Sequence, residues 1–167
     1  DPPKLDKEQT EIVKNEPKKN NEFDSGIVPD INETKIEKKI SRQESIKKTN
    51  RVLLENNKIK GSISLEGALI DDLSFKNYKE NLESNNTVVF LSPKETDDGY
   101  FIENGFVTTD KNIDIPNSDT GWSIEGNNKL TEKNPIKLTW TNDQGIEFIK
   151  EISLDNKFLF KIKQKII

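Results

Sequence analysis

The sequence contains no cysteine, no histidine and no methionine among its 167 residues. Without cysteine there are no disulfides and no thiolates, so the sequence fits oxidising and reducing compartments alike. Without histidine, the usual imidazole base and metal ligand near neutral pH is missing. These absences exclude a Ser-His-Asp triad and the common zinc sites, and we expect no catalytic, cofactor-binding or metal-binding residues and no enzymatic activity. Because the initiator methionine is missing too, we expect the chain to be a piece of a longer one.

Apolar residues are also scarce, since hydrophobic residues make up 31% of the chain and charged residues 34%. This balance predicts that part of the chain is unfolded. No run approaches the roughly 20 apolar residues that cross a bilayer, so we expect any membrane anchors to lie outside these residues. The net charge of −4 is weakly acidic. It offers no electrostatic footprint for nucleic acid or for an anionic lipid surface.

Residues 1–50 carry eleven basic and eleven acidic side chains, with single apolar residues between them. Such a segment buries too little apolar surface to offset an ordering cost of roughly 1 to 2 kcal/mol per residue. We therefore predict a disordered charged linker. Ile36, Ile40 and Ile46 fall near helical spacing, and a frayed helix within residues 31–46 is the alternative.

From residue 51 onward apolar and polar residues alternate, which is typical of strands with one buried face. The clearest case is Ile136, Leu138 and Trp140, followed by a loop over residues 142–145 and then by a second alternating run. This pattern predicts a β-hairpin, with a third strand after it. Short strands without an amphipathic helix predict an antiparallel β-sandwich. Further strands are predicted over residues 52–54, 59–65, 68–75, 88–91, 100–107 and 122–125, with a connection or one helical turn over residues 76–83.

Two carboxylate pairs and one tryptophan are the candidate site residues. Asp71-Asp72 and Asp97-Asp98 suggest a Ca²⁺ site or an acid/base pair. Adjacent residues of a strand point to opposite faces, however, and the spacing of a calcium loop is absent, so we interpret both pairs as solvated turn residues. Trp122 follows a polar loop and a glycine, and it is the candidate for a ligand or partner contact. A core position for Trp122 is the alternative.

A series of short blocks runs through the predicted β domain in a fixed order. The blocks are GSISL (61–65), GALIDDL (67–73), NYKE (77–80), VFLSP (89–93), YF (100–101), GF (105–106), Trp122, PIKLTW (135–140) and DQGIEF (143–148). Together they resemble the start of the large periplasmic domain of the YidC-type bacterial membrane protein insertases, most closely the alphaproteobacterial versions. No single block is specific to that family, but the series is.

The resemblance implies that residues 51–167 are the N-terminal part of an antiparallel β-supersandwich similar to galactose mutarotase, incomplete in this chain. It implies that the linker at residues 1–50 follows an N-terminal transmembrane helix, and that five further helices follow the domain. None of those helices is in this chain, so membrane association would come from outside it. No residue of this chain takes an insertion role from the family.

The function implied by the resemblance is that of an inner-membrane insertase with this segment in the periplasm. Such proteins assist the insertion, folding and assembly of integral membrane proteins, alone or with the Sec translocon. The implied partners are nascent integral membrane proteins and Sec components including SecDF.

Two other classes of function remain open from the residues alone. One is a non-catalytic carbohydrate-binding β-sandwich, which rests on fold analogy. The other is an extracytoplasmic adhesion or interaction domain on a polar stalk. An exposed Trp122 ring would favour the first.

Overall fold

Two β-sheets contribute side chains to one apolar core in the computed structural model, which describes residues 39–167. The first sheet has the strand order β4-β3-β2-β1-β6 and the second has the order β5-β7-β8-β9. Neighbouring strands are antiparallel except for β1 and β6. The predicted all-β sandwich is confirmed. The elements are α1 (Arg42–Ile46), β1 (Arg51–Glu55), β2 (Ile59–Ser64), β3 (Ile70–Lys79), β4 (Thr87–Leu91), β5 (Ser123–Glu125), β6 (Lys129–Leu130), β7 (Ile136–Thr141), β8 (Glu147–Leu154) and β9 (Phe160–Ile166).

The hairpin of β7 and β8 has the register that the alternation predicts, with Ile136 opposite Ile152 and Trp140 opposite Phe148. Gly145 ends its loop with a φ of 80°, a conformation that glycine adopts without steric cost. The burial of Trp140 differs from the prediction, because this residue is only partly buried. Its ring packs against the ring of Phe148, with the two centroids 5.5 Å apart. Phe148 itself is 1% exposed and lies at the centre of the core.

The prediction and the structure differ at three elements. Residues 100–107 form no strand and contribute only the isolated bridges Ser92–Tyr100 and Ile70–Ile102. The connection or helical turn predicted over residues 76–83 begins only after Lys79, because β3 continues to that residue, where it pairs with Thr87 of β4. Strand β6 was not predicted, since two residues are too few to show an alternation.

Helix α1 lies within the range that the sequence predicts as linker. Ser41 caps it, because its backbone amide donates to Glu44 Oε2 at 3.0 Å and its hydroxyl accepts from the Glu44 amide at 3.3 Å. The Ile40 amide donates to the Glu95 carbonyl at 3.1 Å, and Ser45 Oγ donates to the Glu95 carboxylate at 3.0 Å. A five-residue helix is not stable alone, so these tertiary contacts order residues 39–50. The rest of the predicted linker, residues 1–38, lies outside the described residues.

The central position of Phe148 predicts a large cost for its removal. Phe148→Ala should lower the free energy of unfolding by about 3 to 5 kcal/mol, the usual cost of truncating a buried aromatic residue. Thr141→Ala, at the exposed end of the same hairpin, should change it by about 0.5 kcal/mol or less. Urea melts of both variants test this, and equal costs would contradict the assigned inward face.

Candidate interaction surface

The structure places Trp122, the candidate contact residue, among the core side chains. The indole is 4% exposed and stacks against Phe106, with ring centroids 6.4 Å apart. The Trp122 backbone amide donates to the carbonyl of Leu65 at 2.7 Å, which ties Trp122 to the residue that follows β2. A sugar-binding platform needs an exposed ring face, and Trp122 does not offer one in this structure.

The acidic pair Asp71-Asp72 is buried inside β3, with 5% and 6% of the two residues exposed. Ser62 pairs with Asp72 while Ile63 pairs with Ile70, so Asp71 is the extra residue of a β-bulge. The interpretation of this pair as solvated turn residues is therefore wrong. A bulge breaks the strict alternation of side chains, which is why both carboxylates are buried. Asp97 and Asp98, by contrast, are exposed in a turn as predicted.

Both buried carboxylates are bound by arginine. Arg51 pairs with Asp71, and Arg42 of α1 pairs with Asp72. Ser62 joins the two pairs, because its Oγ donates to Asp72 Oδ2 at 2.6 Å and accepts from Arg51 Nε at 2.7 Å. Burial raises the pKa of the Asp71 carboxyl even though Arg51 acts against this shift. The network ties α1 to β1, β2 and β3, and it occupies the carboxylates that a metal would need.

Between residues 39 and 167 there is no group of three or more acidic, histidine or cysteine side chains that would hold a metal ion. The same part of the chain contains no helix with the length and apolarity needed to cross a bilayer.

Lys150 of β8 points into the core, and sequence reasoning missed it. Its side chain is 2% exposed, and Nζ donates to the Asn104 carbonyl at 2.6 Å and lies 4.8 Å from the centre of the Trp122 ring. Burial lowers the pKa of Lys150 to about 8, and the charge of Glu103 opposes the shift. The signal was present in the sequence, because Lys150 falls between Phe148 and Ile152 in the inward phase.

Aromatic side chains line an open groove between the two sheets. We call it the aromatic groove; it has a volume of about 410 Å³ and is lined by Ile59, Leu73, Phe75, Tyr78, Phe90, Ile102, Phe158 and Phe160. The Phe75 ring is its centre, with centroids 5.5 Å from Tyr78, 5.5 Å from Phe90 and 5.8 Å from Phe158. The contacts with Tyr78 and Phe158 are edge-on, an arrangement that the charge distribution of aromatic rings favours.

Much of this aromatic surface is in contact with solvent. Tyr78 is 57% exposed, Phe90 48% and Phe158 46%. Tyr100, at the rim, is 64% exposed and meets Phe90 edge-on at 6.2 Å. Contiguous apolar patches on soluble proteins usually mark an interaction site. The aromatic groove is therefore the candidate interaction surface of residues 39–167.

The buried ion pair between Arg51 and Asp71 yields a stability prediction. Asp71→Asn should lower the free energy of unfolding by about 3 to 5 kcal/mol, because it leaves the Arg51 charge buried without a partner. The matched control is Glu125→Gln, which breaks the exposed pair with Lys137. That change should leave the midpoint of a urea melt nearly unmoved. A neutral Asp71→Asn would contradict a structural role for the network.

The lowered pKa of Lys150 yields a pH prediction. The folded protein loses this proton near pH 8, whereas the unfolded chain keeps it until about 10.5. Between these values the unfolded state binds more protons, so folding stability rises with pH. Relative to Lys150→Met, the wild type should gain on the order of 3 kcal/mol across this range. Urea melts from pH 7 to 10.5 test this, and parallel pH profiles for the two proteins would contradict it.

Comparisons with known proteins identify the family to which the chain belongs. The sequence profile of the family described as YidC periplasmic domain matches residues 51–167. The Membrane protein insertase YidC of Pelagibacter ubique (strain HTCC1062) is 49% identical over 156 residues, which are 93% of this chain and 28% of that protein. No solved structure matches the chain.

Proteins of the same name from Rhizobium meliloti (strain 1021) and Agrobacterium fabrum (strain C58 / ATCC 33970) are 40% and 38% identical to this chain. Each match covers 127 residues, 75% of this chain and 21% of the relative. The chain thus spans 21% to 28% of these relatives' length. The profile match covers both sheets from β1 onward, and the chain belongs to the YidC periplasmic domain family.

Proposed function

We propose that residues 51–167 are the N-terminal part of the periplasmic β-sandwich domain of an inner-membrane insertase. The observation that carries this proposal is the family match over residues 51–167. Residues 1–50 would connect the domain to a transmembrane helix, with the docked segment at residues 39–50 as the end of that connection. Membrane association would come from helices outside this chain.

The proposed activity of the whole protein is to assist the insertion, folding and assembly of integral membrane proteins, alone or with the Sec translocon. Its substrates would be nascent integral membrane proteins. Sec translocon components, including SecDF, would be its partners. The proposed insertase activity is supported by three relatives that carry the insertase name and are 38% to 49% identical to this chain.

Within this activity the domain would act by contact and not by catalysis. Its two buried carboxylates are already held by Arg42 and Arg51. The amine of Lys150 is enclosed in the core. The exposed chemistry of the domain is the apolar surface of the aromatic groove, which suits packing against polypeptide.

The proposal predicts that this chain can replace its counterpart inside a complete insertase. In a chimera, residues 51–167 would replace the matched segment of the Pelagibacter relative. In cells depleted of their own insertase, the chimera should insert a model membrane protein to within about twofold of the unmodified relative, since surface differences in a folded domain have small effects. Protease protection of the inserted substrate measures this.

Two controls separate folding from function in this experiment. Immunoblots of the membrane fraction report how much chimera accumulates, and a chimera with Phe148→Ala reports the effect of a destabilised domain. A chimera that accumulates normally in the membrane but leaves the model protein uninserted would contradict the proposed function.

A further inference from the structure

The segment that follows the bridge at Ile102 contains the chain's only Asn-Gly dipeptide, Asn104-Gly105. The dipeptide lies between β4 and β5, and Lys150 Nζ donates to the Asn104 carbonyl at 2.6 Å. We propose that Asn104 is a site of self-modification, at which Lys150 promotes loss of the side-chain amide and formation of isoaspartate. This inference is independent of the proposed insertase function.

The reaction needs only the dipeptide and water. An Asn-Gly dipeptide is intrinsically reactive because glycine places no side chain beside its nitrogen. The Gly105 nitrogen loses its proton and bonds to Asn104 Cγ, the bond from Cγ to Nδ2 breaks, and ammonia leaves with that proton. The product is a succinimide. Water then opens it at one of its two carbonyls to give aspartate or isoaspartate, with no change of oxidation state.

The contact from Lys150 acts on the peptide group that reacts. The Asn104 carbonyl and the Gly105 nitrogen belong to one peptide unit, so the negative charge left by deprotonation is shared with the Asn104 oxygen. Lys150 is 2% exposed, and its ammonium group lies 2.6 Å from that oxygen. A buried cation in this position stabilises the developing charge, as hydrogen-bond donors stabilise an oxyanion in an enzyme.

Hydrogen bonding leaves the reacting groups free to meet. Asn104 Oδ1 and Nδ2 are buried but have no hydrogen-bond partner among residues 39–167, and the Gly105 amide donates to no backbone carbonyl there. No side-chain hydrogen bond therefore has to break before Cγ approaches the Gly105 nitrogen. Asn142 is different, because its Nδ2 donates to the Asp114 carbonyl at 2.8 Å and its Oδ1 accepts two backbone amides. Gly105 itself is exposed, so water reaches the succinimide.

The same contact selects the product. The ammonium group polarises the main-chain carbonyl of the succinimide, so water attacks there and the bond from this carbonyl to the Gly105 nitrogen breaks. The chain then runs through Cγ of residue 104, which is the isoaspartate linkage. The former Asn104 carbonyl becomes a carboxylate beside Lys150 Nζ. A buried charge is costly without such a partner, and the modification supplies one.

Mass spectrometry of the folded chain tests the proposal. The chain is incubated at neutral pH, and fragmentation that separates isoaspartate from aspartate follows residue 104 over time. Isoaspartate should accumulate there, while the hydrogen-bonded Asn142 in the same molecule should stay unmodified. Gly105→Ala should prevent the reaction and keep the fold, because the space beside Gly105 is open and its φ is not left-handed.

Lys150→Met isolates the effect of the ammonium group. In the folded variant the reaction should slow at least about tenfold, because a donor aimed at a developing oxyanion contributes on the order of 100-fold or more. A larger share of its product should be aspartate. In urea, both proteins should react at the same rate, since unfolding removes the contact.

The pH profile separates this role from a change in rigidity. The wild-type rate should rise less steeply above about pH 8, where Lys150 loses its proton, whereas the Lys150→Met rate should follow hydroxide throughout. Glu103, whose charge acts on Lys150, is kept in both proteins.

Two results would overturn the proposal. Unmodified Asn104 in the folded chain, after an incubation in which the urea-unfolded chain has reacted fully, would mean that the fold protects the dipeptide. Equal folded-state rates for wild type and Lys150→Met, or pH profiles of the same shape, would mean that the Lys150 contact does not promote the reaction. Circular dichroism before each incubation confirms that the variants are folded.

Discussion

The packing of alternate residues from two sheets against each other is the constraint on which the rest of this structure depends. The first sheet's share of the core comes from Val52, Leu54, Ile59, Ile63, Ile70, Leu73, Leu91 and Leu130, and the second sheet's share comes from Ile136, Leu138, Phe148, Ile152 and Leu154. A slip of one residue in any of these strands would turn its apolar set to solvent. Phe148 joins the sheets to the connecting segment, since Phe106 meets it edge-on at 5.0 Å. The packing of the core therefore fixes both the register of the strands and the position of the connecting segment that contains Phe106.

The buried charged side chains of the domain have different roles. Arg51 and Asp71 are each 8% exposed in their side chains and compensate one another, while Arg42 extends the same network to α1. Lys150 has no carboxylate in salt-bridge contact among residues 39–167, and its ammonium group relies on one carbonyl and one aromatic ring. The arginine network thus orders the N-terminal segment, whereas Lys150 holds the segment around Asn104 over Trp122 at a cost in desolvation.

The same packing leaves one side of the sandwich uncovered. Where β4 and β9 end the two sheets, the core continues outward as the aromatic groove and not as a polar rim. The chain belongs to the YidC periplasmic domain family, and relatives that contain such a domain are named membrane protein insertases. An open apolar side is consistent with the proposal that this domain works through polypeptide contacts.

The sequence by itself determined the strand-rich fold, the hairpin from Ile136 to Leu154 and the family, because alternation and block order are local properties of the chain. It also contained the signal for Lys150, although a single charge within an apolar run is easily passed over.

Only the tertiary structure decided the burial of Asp71 and Asp72, the docking of α1 and the composition of the aromatic groove. The first depends on a bulge, which inserts one residue and cancels the parity rule. The second depends on Glu95, which is 50 residues from Ser45 in the chain. The groove joins Phe75, Phe90 and Phe158, and no local pattern records that these distant residues meet.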